Sequence, residues 1–335
     1  MLALKDDIRT TTILKGIAIL GVIFLHTLSS VHNLYATIYT GNFWLVVADQ
    51  AARFCVPLFI ALSGYALMSK YADKLTLSSF FWRRVMRLLP LYILWTVVLS
   101  VAIGHTLHFD LLNKLLLGYG DYQLYFVPMI IQLYLLFPIL RFGMLKNKNL
   151  FLICLLIVQL VTLFLYSPFM AGAGGWIAAL RNNYQYLFSF SWIFYFGLGM
   201  RLSLEKGMPK FHIGFFGLKT LVGLTLCVIS GFVLVGRGYD TINALRFTRF
   251  PIVLYASGFI GVSIAVRAQL LKIQSTVRHV LEFLGEQSYL IYLCHTLLLR
   301  IIFSATYRDT SLPNIAFQSL LFVVGLIASF FVQKI

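Results

Sequence analysis

Hydrophobic residues fall into ten runs separated by short polar segments. Each run is long enough to cross a membrane, since about 20 residues of α-helix span the hydrocarbon core. The predicted spans are residues 11–31, 43–68, 88–108, 123–141, 150–167, 185–202, 212–234, 248–267, 281–304 and 314–333. The pattern therefore predicts an all-α fold, a polytopic membrane helix bundle of about ten transmembrane helices.

The composition agrees with a membrane protein. Of the 335 residues, 60% are hydrophobic and only 11% are charged, whereas a soluble domain carries about 25% charged residues. The longest predicted extramembrane stretch is 69–87, and no linker is visible, so we expect one integral membrane domain over residues 1–335. The first run has no small-residue cleavage site after it and is interpreted as a transmembrane helix rather than a signal peptide.

The basic residues of the chain predict its orientation. A net charge of +16 would fit nucleic-acid binding if the cations shared one soluble face. Lys and Arg instead lie mostly in alternate short segments between the runs, which is typical of cytoplasmic loops. We therefore predict that both termini are cytoplasmic and that nucleic acid is not a partner. The four cysteines lie inside apolar runs without metal-ligand spacing, so no metal is expected.

Two ionisable residues lie within the first predicted span, which includes ILKGIAILGVIFLHT at 13–27. Lys15 and His26 are eleven residues apart, so on a helix they share one face about 16 Å apart along the axis. Ionisable groups inside spans are costly and are candidates for function. His26 is predicted in the outer half, where it could act as a general base near neutral pH. The alternative is a structural, hydrogen-bonding histidine.

The second span carries an acid–base pair at helical spacing, Asp49 and Arg53. Such a pair is a natural way to bring two charges into a membrane. A structural ion pair and a substrate-orienting role both remain open. Pro57 follows in the same run and is expected to kink the helix.

Three arginines lie together where SFFWRRVMRLLP leads into the third span. Arg83, Arg84 and Arg87 are predicted at the cytoplasmic surface, and Arg84 and Arg87 share a helix face. Topology alone predicts some cations here. The planar guanidinium group also suits phosphate recognition, which favours a binding role.

The ninth span, VLEFLGEQSYLIYLCHTLLL, contains several polar residues. His295 is predicted at the same depth as His26, which indicates a polar chamber within the bundle. Alternatively, this span only lines a hydrated cavity.

Several of these segments together resemble the acyltransferase-3 family of integral membrane acyltransferases. They are KGIAILGVIFLH, RFCVPLFIALSGY, RRVMRLLPLY, LYFVPMIIQLYLLFP and LGEQSYLIYLCH, and they cover nearly the whole chain. His26 matches the histidine of the family's first helix, and Lys15 stands where the family has arginine. Arg84 and Arg87 match its Arg-x-x-Arg, and Tyr125 replaces the usual tryptophan. The chain is more similar to the short stand-alone members, such as those acetylating enterobacterial common antigen.

The resemblance implies a multi-pass enzyme of the bacterial cytoplasmic membrane that moves an acyl group, usually acetyl, from cytoplasmic acyl-CoA to a hydroxyl of an extracytoplasmic or lipid-linked glycan. It implies that the arginines bind coenzyme A and that His26 is a base or carries the acyl group. Lys15, Asp49, Arg53 and His295 are the other candidate catalytic residues. The competing hypothesis is a polysaccharide exporter or flippase without covalent chemistry. The sequence does not define the oligomeric state.

Overall fold

The computed structural model describes residues 2–30, 43–102, 111–167, 170, 174–175, 186–205, 213–239 and 244–305. These residues form thirteen α-helices and one short 3₁₀ helix, Ser189–Ser191. The α-helices are α1 (Leu2–Ser30), α2 (Phe43–Ala52), α3 (Cys55–Tyr71), α4 (Leu77–Ala102), α5 (Leu111–Leu117), α6 (Phe126–Lys146), α7 (Lys148–Leu165), α8 (Ile193–Ser203), α9 (Ile213–Gly236), α10 (Phe250–Ala265), α11 (Arg267–Leu270), α12 (Ser275–Glu286) and α13 (Ser288–Ala305).

The helices confirm an all-α, polytopic membrane protein. In the described chain, six helical stretches are long and apolar enough to cross a membrane, and the helices at 250–265 and 288–301 are apolar but shorter. Helices suit this environment because every backbone donor finds an acceptor within its own segment. The total of about ten spans and the cytoplasmic position of both termini stay predictions, since the tenth span, 314–333, lies outside the described residues.

The chain packs as two compact units. The first takes its residues from Met1–Phe59, Lys210–Phe247 and Pro251–Ile335, and the second from Ile60–Pro209 and Thr248–Phe250. This division concerns packing within the chain, so the single membrane domain over 1–335 stays a prediction.

In the first unit, α1 packs against α12 at backbone contact. A Cβ atom on Gly16 would lie 2.1 Å from the carbonyl oxygen of Leu281, and one on Gly285 would lie 1.9 Å from that of Thr12. Small residues allow helices in membranes to approach in this way. Beside this contact, residues of α1, α12 and α13 form a hydrophobic core that includes Ile19, Leu284 and Ile291.

Charged side chains join the same helices at one end of the first unit. Arg9 donates hydrogen bonds to the carboxylate of Glu282, and Arg278 lies 3.8 Å from the same carboxylate. Arg267 lies 3.8 Å from Asp7. The Arg9–Glu282 pair thus adds a directional, polar link to the apolar packing of α1 against α12, Arg278 supports Glu282 from within α12, and Asp7–Arg267 links α1 to α11.

The second unit is organised around an aromatic cluster of Tyr71, Phe80, Phe137 and Phe196, which come from α3, α4, α6 and α8. The ring centroids of Phe80 lie 5.3 Å from those of both Tyr71 and Phe137, and Phe137 lies 6.4 Å from Phe196. Offset and edge-to-face aromatic contacts of this kind stabilise a core beyond the area they bury.

The predicted span 43–68 corresponds to one helical stretch of membrane length, Phe43–Tyr71, which is interrupted where α2 ends at Ala52 and α3 begins at Cys55. Pro57 explains the break, since proline has no N–H for the carbonyl of Arg53 and its ring collides with that carbonyl. The hydroxyl of Tyr255 donates a hydrogen bond to the carbonyl of Ala51 at the broken end. The interruption lies directly at Arg53, four residues before Pro57.

The boundaries of two other spans also differ from the prediction. Helix α4 begins at Leu77 rather than at residue 88, so the predicted loop 69–87 is largely helical and contains the three arginines. The three arginines therefore lie on a helix, in agreement with the helix face predicted for Arg84 and Arg87, and arginine is a good helix former. The ninth span is divided into α12 and α13 at Gln287, whose φ of −87° and ψ of 2° leave the helical region.

Only part of the predicted span 185–202 is an α-helix, because α8 begins at Ile193. Two glutamines from neighbouring helices hold the preceding backbone. Gln132 donates to the carbonyl of Leu187 at 3.0 Å and accepts from the N–H of Ser189 at 3.2 Å. Gln159 accepts from the N–H of Phe194 at 3.0 Å. Non-helical backbone is tolerated within a membrane protein when such partners satisfy it.

The contact between α1 and α12 predicts a large effect of a single methyl group. Gly285→Ala should destabilise the protein by about 1–3 kcal/mol, the usual cost of overpacking, because the new Cβ meets the carbonyl of Thr12. Thermal unfolding of the purified protein in detergent measures the loss. Gly217→Ala is the control, since no atom lies within 4 Å of a Cβ there. Equal midpoints for the two variants would contradict the close contact.

Candidate active site

The structure brings together the two histidines predicted at one level of the bundle. His26 on α1 and His295 on α13 have ring centroids 4.9 Å apart, with an angle of 51° between the rings. His26 is half-buried, whereas His295 is completely buried. Arg53 and His295 also interact electrostatically with His26. The imidazoles of His26 and His295 and the guanidinium group of Arg53 therefore interact within the first unit.

The contacts of His295 define its tautomer. Its Nδ1 lies 2.7 Å from the carbonyl oxygen of Tyr292 and 3.1 Å from that of Ile291. A carbonyl oxygen can only accept a hydrogen bond, so Nδ1 carries the hydrogen. In the neutral ring, Nε2 then carries the lone pair and can accept a proton or a hydrogen bond.

Lys15 lies on the same helix as His26. Helix α1 is unbroken between the two residues, so its rise places them about 16 Å apart along the axis. Both side chains are half-buried. The geometry of α1 therefore preserves the line of polar residues that the sequence predicted.

Asp49 and Arg53 form the predicted ion pair across the end of α2. Arg53 donates from Nε to Asp49 Oδ2 at 2.8 Å and from Nη2 to Oδ1 at 3.0 Å. Gln50 also donates to Asp49 Oδ2 at 2.7 Å and to the carbonyl of Leu245 at 3.1 Å. The guanidinium carbon of Arg53 lies 4.8 Å from the ring centre of Phe247. The ion pair is bidentate and buried, with Gln50 holding the carboxylate and the Phe247 ring lying against the guanidinium group.

The three arginines of α4 differ in exposure. Arg83 and Arg87 are exposed, and Arg84 is half-buried. The guanidinium carbon of Arg84 lies 5.8 Å from the ring centre of Phe80 and 5.6 Å from that of Tyr134. The arginines belong to the second unit, whereas the histidines, Lys15 and the Asp49–Arg53 pair belong to the first.

The sequence analysis did not single out several charged residues that the structure buries. Lys114, Asp121, Arg246 and Arg249 are all buried, with exposures of 5–6%. A signal was present at ALRFTRF (244–250), where arginines alternate with apolar residues that pack into the protein. At the other two positions the short polar context gave no such indication.

The comparison with known families agrees with this architecture. A family model described as an acyltransferase domain matches residues 11–334. The chain belongs to the acyltransferase-3 family. Membership in acyltransferase-3 confirms the resemblance seen in the sequence and makes the protein a membrane O-acyltransferase, which transfers an acyl group to a hydroxyl. Neither the curated proteins nor the solved structures gave a match. The narrower similarity to acyltransferase-3 members that modify enterobacterial common antigen stays a prediction.

The buried ion pair predicts strong coupling between its two residues. Asp49→Ala or Arg53→Ala alone should destabilise the protein by about 3–5 kcal/mol, because each leaves one charge buried without its partner. The double variant should lose much less than the sum of the two single losses. Unfolding of the three purified variants in detergent completes the cycle. Additive losses would show that the two side chains act independently.

Proposed function

We propose that the protein transfers an acetyl group from acetyl-CoA to a hydroxyl of an extracytoplasmic or lipid-linked glycan, in the bacterial cytoplasmic membrane. The observation that carries the proposal is the contact between the rings of His26 and His295, 4.9 Å apart. Ionisable side chains within transmembrane helices mark sites of reaction or transport. A pair of imidazoles offers the acid–base chemistry that acylation of a hydroxyl requires.

The two histidines differ in burial, and we assign them different roles. His26 is half-buried and can meet a substrate, so it acts on the acceptor hydroxyl. His295 is completely buried and held through Nδ1 by backbone carbonyls, so it orients His26 and shares its proton. A base whose orientation is fixed by a second group is a recurring arrangement in acyl transfer.

Two chemical routes use these residues. In the direct route, His26 takes the hydroxyl proton while the oxygen attacks the thioester carbonyl, the C–S bond breaks, and coenzyme A leaves as its thiol. In the second route, the acetyl group passes first to His26 and then to the hydroxyl. Protein incubated with radiolabelled acetyl-CoA without glycan retains label only in the second route.

The arginines of α4 suit the phosphates of the donor. Arg84 lies against two aromatic rings, which limits the orientations of its guanidinium group, and Arg87 follows three residues later on the same helix. Guanidinium groups bind phosphate oxygens in pairs. Arg83 adds positive charge beside them. Lys15 contributes a single charge, without the fork of the arginine usual at its position.

The Asp49–Arg53 pair supports the site rather than reacting in it. Both carboxylate oxygens of Asp49 accept hydrogen bonds from Arg53, and one also accepts from Gln50. These three hydrogen bonds engage the carboxylate within the chain, so we assign Asp49 to orienting its neighbours rather than to taking a proton from a substrate. Its effect is to hold Arg53 near His26, where a fixed positive charge favours the negative charge that develops during acyl transfer.

Acetyl-CoA turnover by purified protein in liposomes tests the function directly. The enzyme should release coenzyme A over many turnovers only when a glycan acceptor is present; without glycan, release should be limited to slow hydrolysis or, in the second route, to one equivalent per protein. An exporter or flippase would move the glycan and release no coenzyme A. Family membership and the cluster of arginines both favour the enzyme.

Replacement of His26 should abolish transfer. A general base contributes typically 10²–10⁴ in rate, so His26→Ala should lose at least two orders of magnitude in turnover while still binding coenzyme A. The control is His279→Ala, which removes an exposed histidine on α12. If His26→Ala keeps more than about a tenth of wild-type turnover, that magnitude excludes both proposed roles.

Replacement of the α4 arginines should act on the donor. Arg84→Ala and Arg87→Ala should each raise the apparent constant for acetyl-CoA about tenfold or more, the effect of losing a charge-assisted hydrogen bond. The constant for the glycan should stay the same. Steady-state kinetics in liposomes with either substrate varied measure both. Arg237→Ala, at an exposed position after α9, is the control for total charge. If the α4 variants weaken the binding of both substrates equally, the arginines have only a topological role.

A further inference from the structure

Tyr71, the last residue of α3, has a buried hydroxyl without a hydrogen-bond partner in the described part of the chain. The side chain belongs to the aromatic cluster of the second unit and is only 7% exposed. Its ring contacts Phe80 at 5.3 Å and Phe137 at 6.4 Å, between centroids. Phenylalanine would make the same contacts without burying a polar group, so packing alone gives no reason for a hydroxyl here.

The position of Tyr71 is fixed by Arg141 from α6. Arg141 donates from Nε to the carbonyl of Tyr71 at 2.6 Å and from Nη2 to that of Ala72 at 2.5 Å. These bonds satisfy carbonyls at the C-terminus of α3, where the helix has no donors of its own. The hydroxyl is therefore held in place by the chain rather than left on a loose helix end.

A second buried donor without a hydrogen-bond partner in the described part of the chain lies near the same Phe80 ring. The Nε of Arg84 is buried and has no hydrogen-bond partner among the described residues. The guanidinium carbon of Arg84 lies 5.8 Å from the centre of the Phe80 ring. The ammonium group of Lys70 lies 5.6 Å from the centre of the Tyr71 ring. The Tyr71 hydroxyl and Arg84 Nε are thus donors that the described chain leaves unused, and the cationic groups of Arg84 and Lys70 lie near the rings of Phe80 and Tyr71.

We propose that the hydroxyl of Tyr71 and the Nε of Arg84 bind one phosphate group of the acyl-CoA donor. Arg84 Nε can only donate and the Tyr71 hydroxyl can donate, so a partner shared by the two is an acceptor, and the neighbouring cations favour one that is negatively charged. A phosphate oxygen meets both conditions. This inference rests on the proposed function and adds Tyr71 as a donor-binding residue. A lipid headgroup offers the same phosphate chemistry, and the donor used in the test separates the two sources.

Tyr71→Phe tests the inference because it removes only the hydroxyl. The apparent constant for acetyl-CoA should rise about tenfold with kcat unchanged, as expected for a lost hydrogen bond to a charged group. With acetyl-pantetheine, a thioester without the nucleotide phosphates, wild type and variant should have the same constant. The thermal midpoint without donor should not fall, since the Tyr71 hydroxyl makes no hydrogen bond to the described part of the chain.

Tyr92→Phe is the matched control in the same unit. The Tyr92 hydroxyl donates to the carbonyl of Leu115 at 2.8 Å, so its loss should lower the thermal midpoint and leave the acetyl-CoA constant unchanged. An unchanged acetyl-CoA constant in Tyr71→Phe would overturn the inference and indicate a lipid headgroup or a buried water as the partner. Equal losses with both donors would overturn the assignment to phosphate. Wild-type protein that neither binds nor uses acetyl-CoA would instead refute the proposed function.

Discussion

The backbone contact between α1 and α12 is the constraint on which the candidate active site depends. Gly16 and Gly285 allow each helix to touch a carbonyl of the other, so little sliding or rotation is possible without a collision. This contact fixes the register of α1 relative to α12. Helix α13 follows after the single break at Gln287. The level in the bundle at which His26 meets His295 is therefore determined by Gly16 and Gly285, which lie about three helical turns away and have no reactive side chain.

At two interruptions in the helices, side chains from other helices form hydrogen bonds with the backbone. An uninterrupted helix uses its backbone groups internally and offers only side chains. At Arg53, the break imposed by Pro57 coincides with the ion pair to Asp49 and with the hydroxyl of Tyr255, which reaches the exposed carbonyl. Before α8, Gln132 plays the corresponding role for Leu187 and Ser189. Each interruption is tolerated because a side chain from another helix supplies the missing hydrogen bond.

The sequence predicts the helical class well, because apolar runs of membrane length have few other solutions. It also predicts the pair formed by Asp49 and Arg53, since spacing of four residues on a helix is enough to join them. It does not predict the break at Gln287, which comes two residues after the backbone contact of Gly285 with Thr12. Nor does it reveal a buried charge such as Lys114, because a cation between two apolar runs looks the same in a loop and in a core.

Hydrogen bonding separates structural polar residues from those available to a substrate. Asp49 uses both oxygens within the chain, and Arg141 is engaged by the carbonyls at the end of α3, so both stabilise the fold. Arg84 differs, because aromatic rings hold its guanidinium group by their faces and leave its Nε without an acceptor in the described chain. Aromatic contacts fix an arginine without consuming its donors. A donor that is fixed, positively charged and unused is preorganised for an anionic ligand, and the chain loses little conformational entropy when that ligand binds.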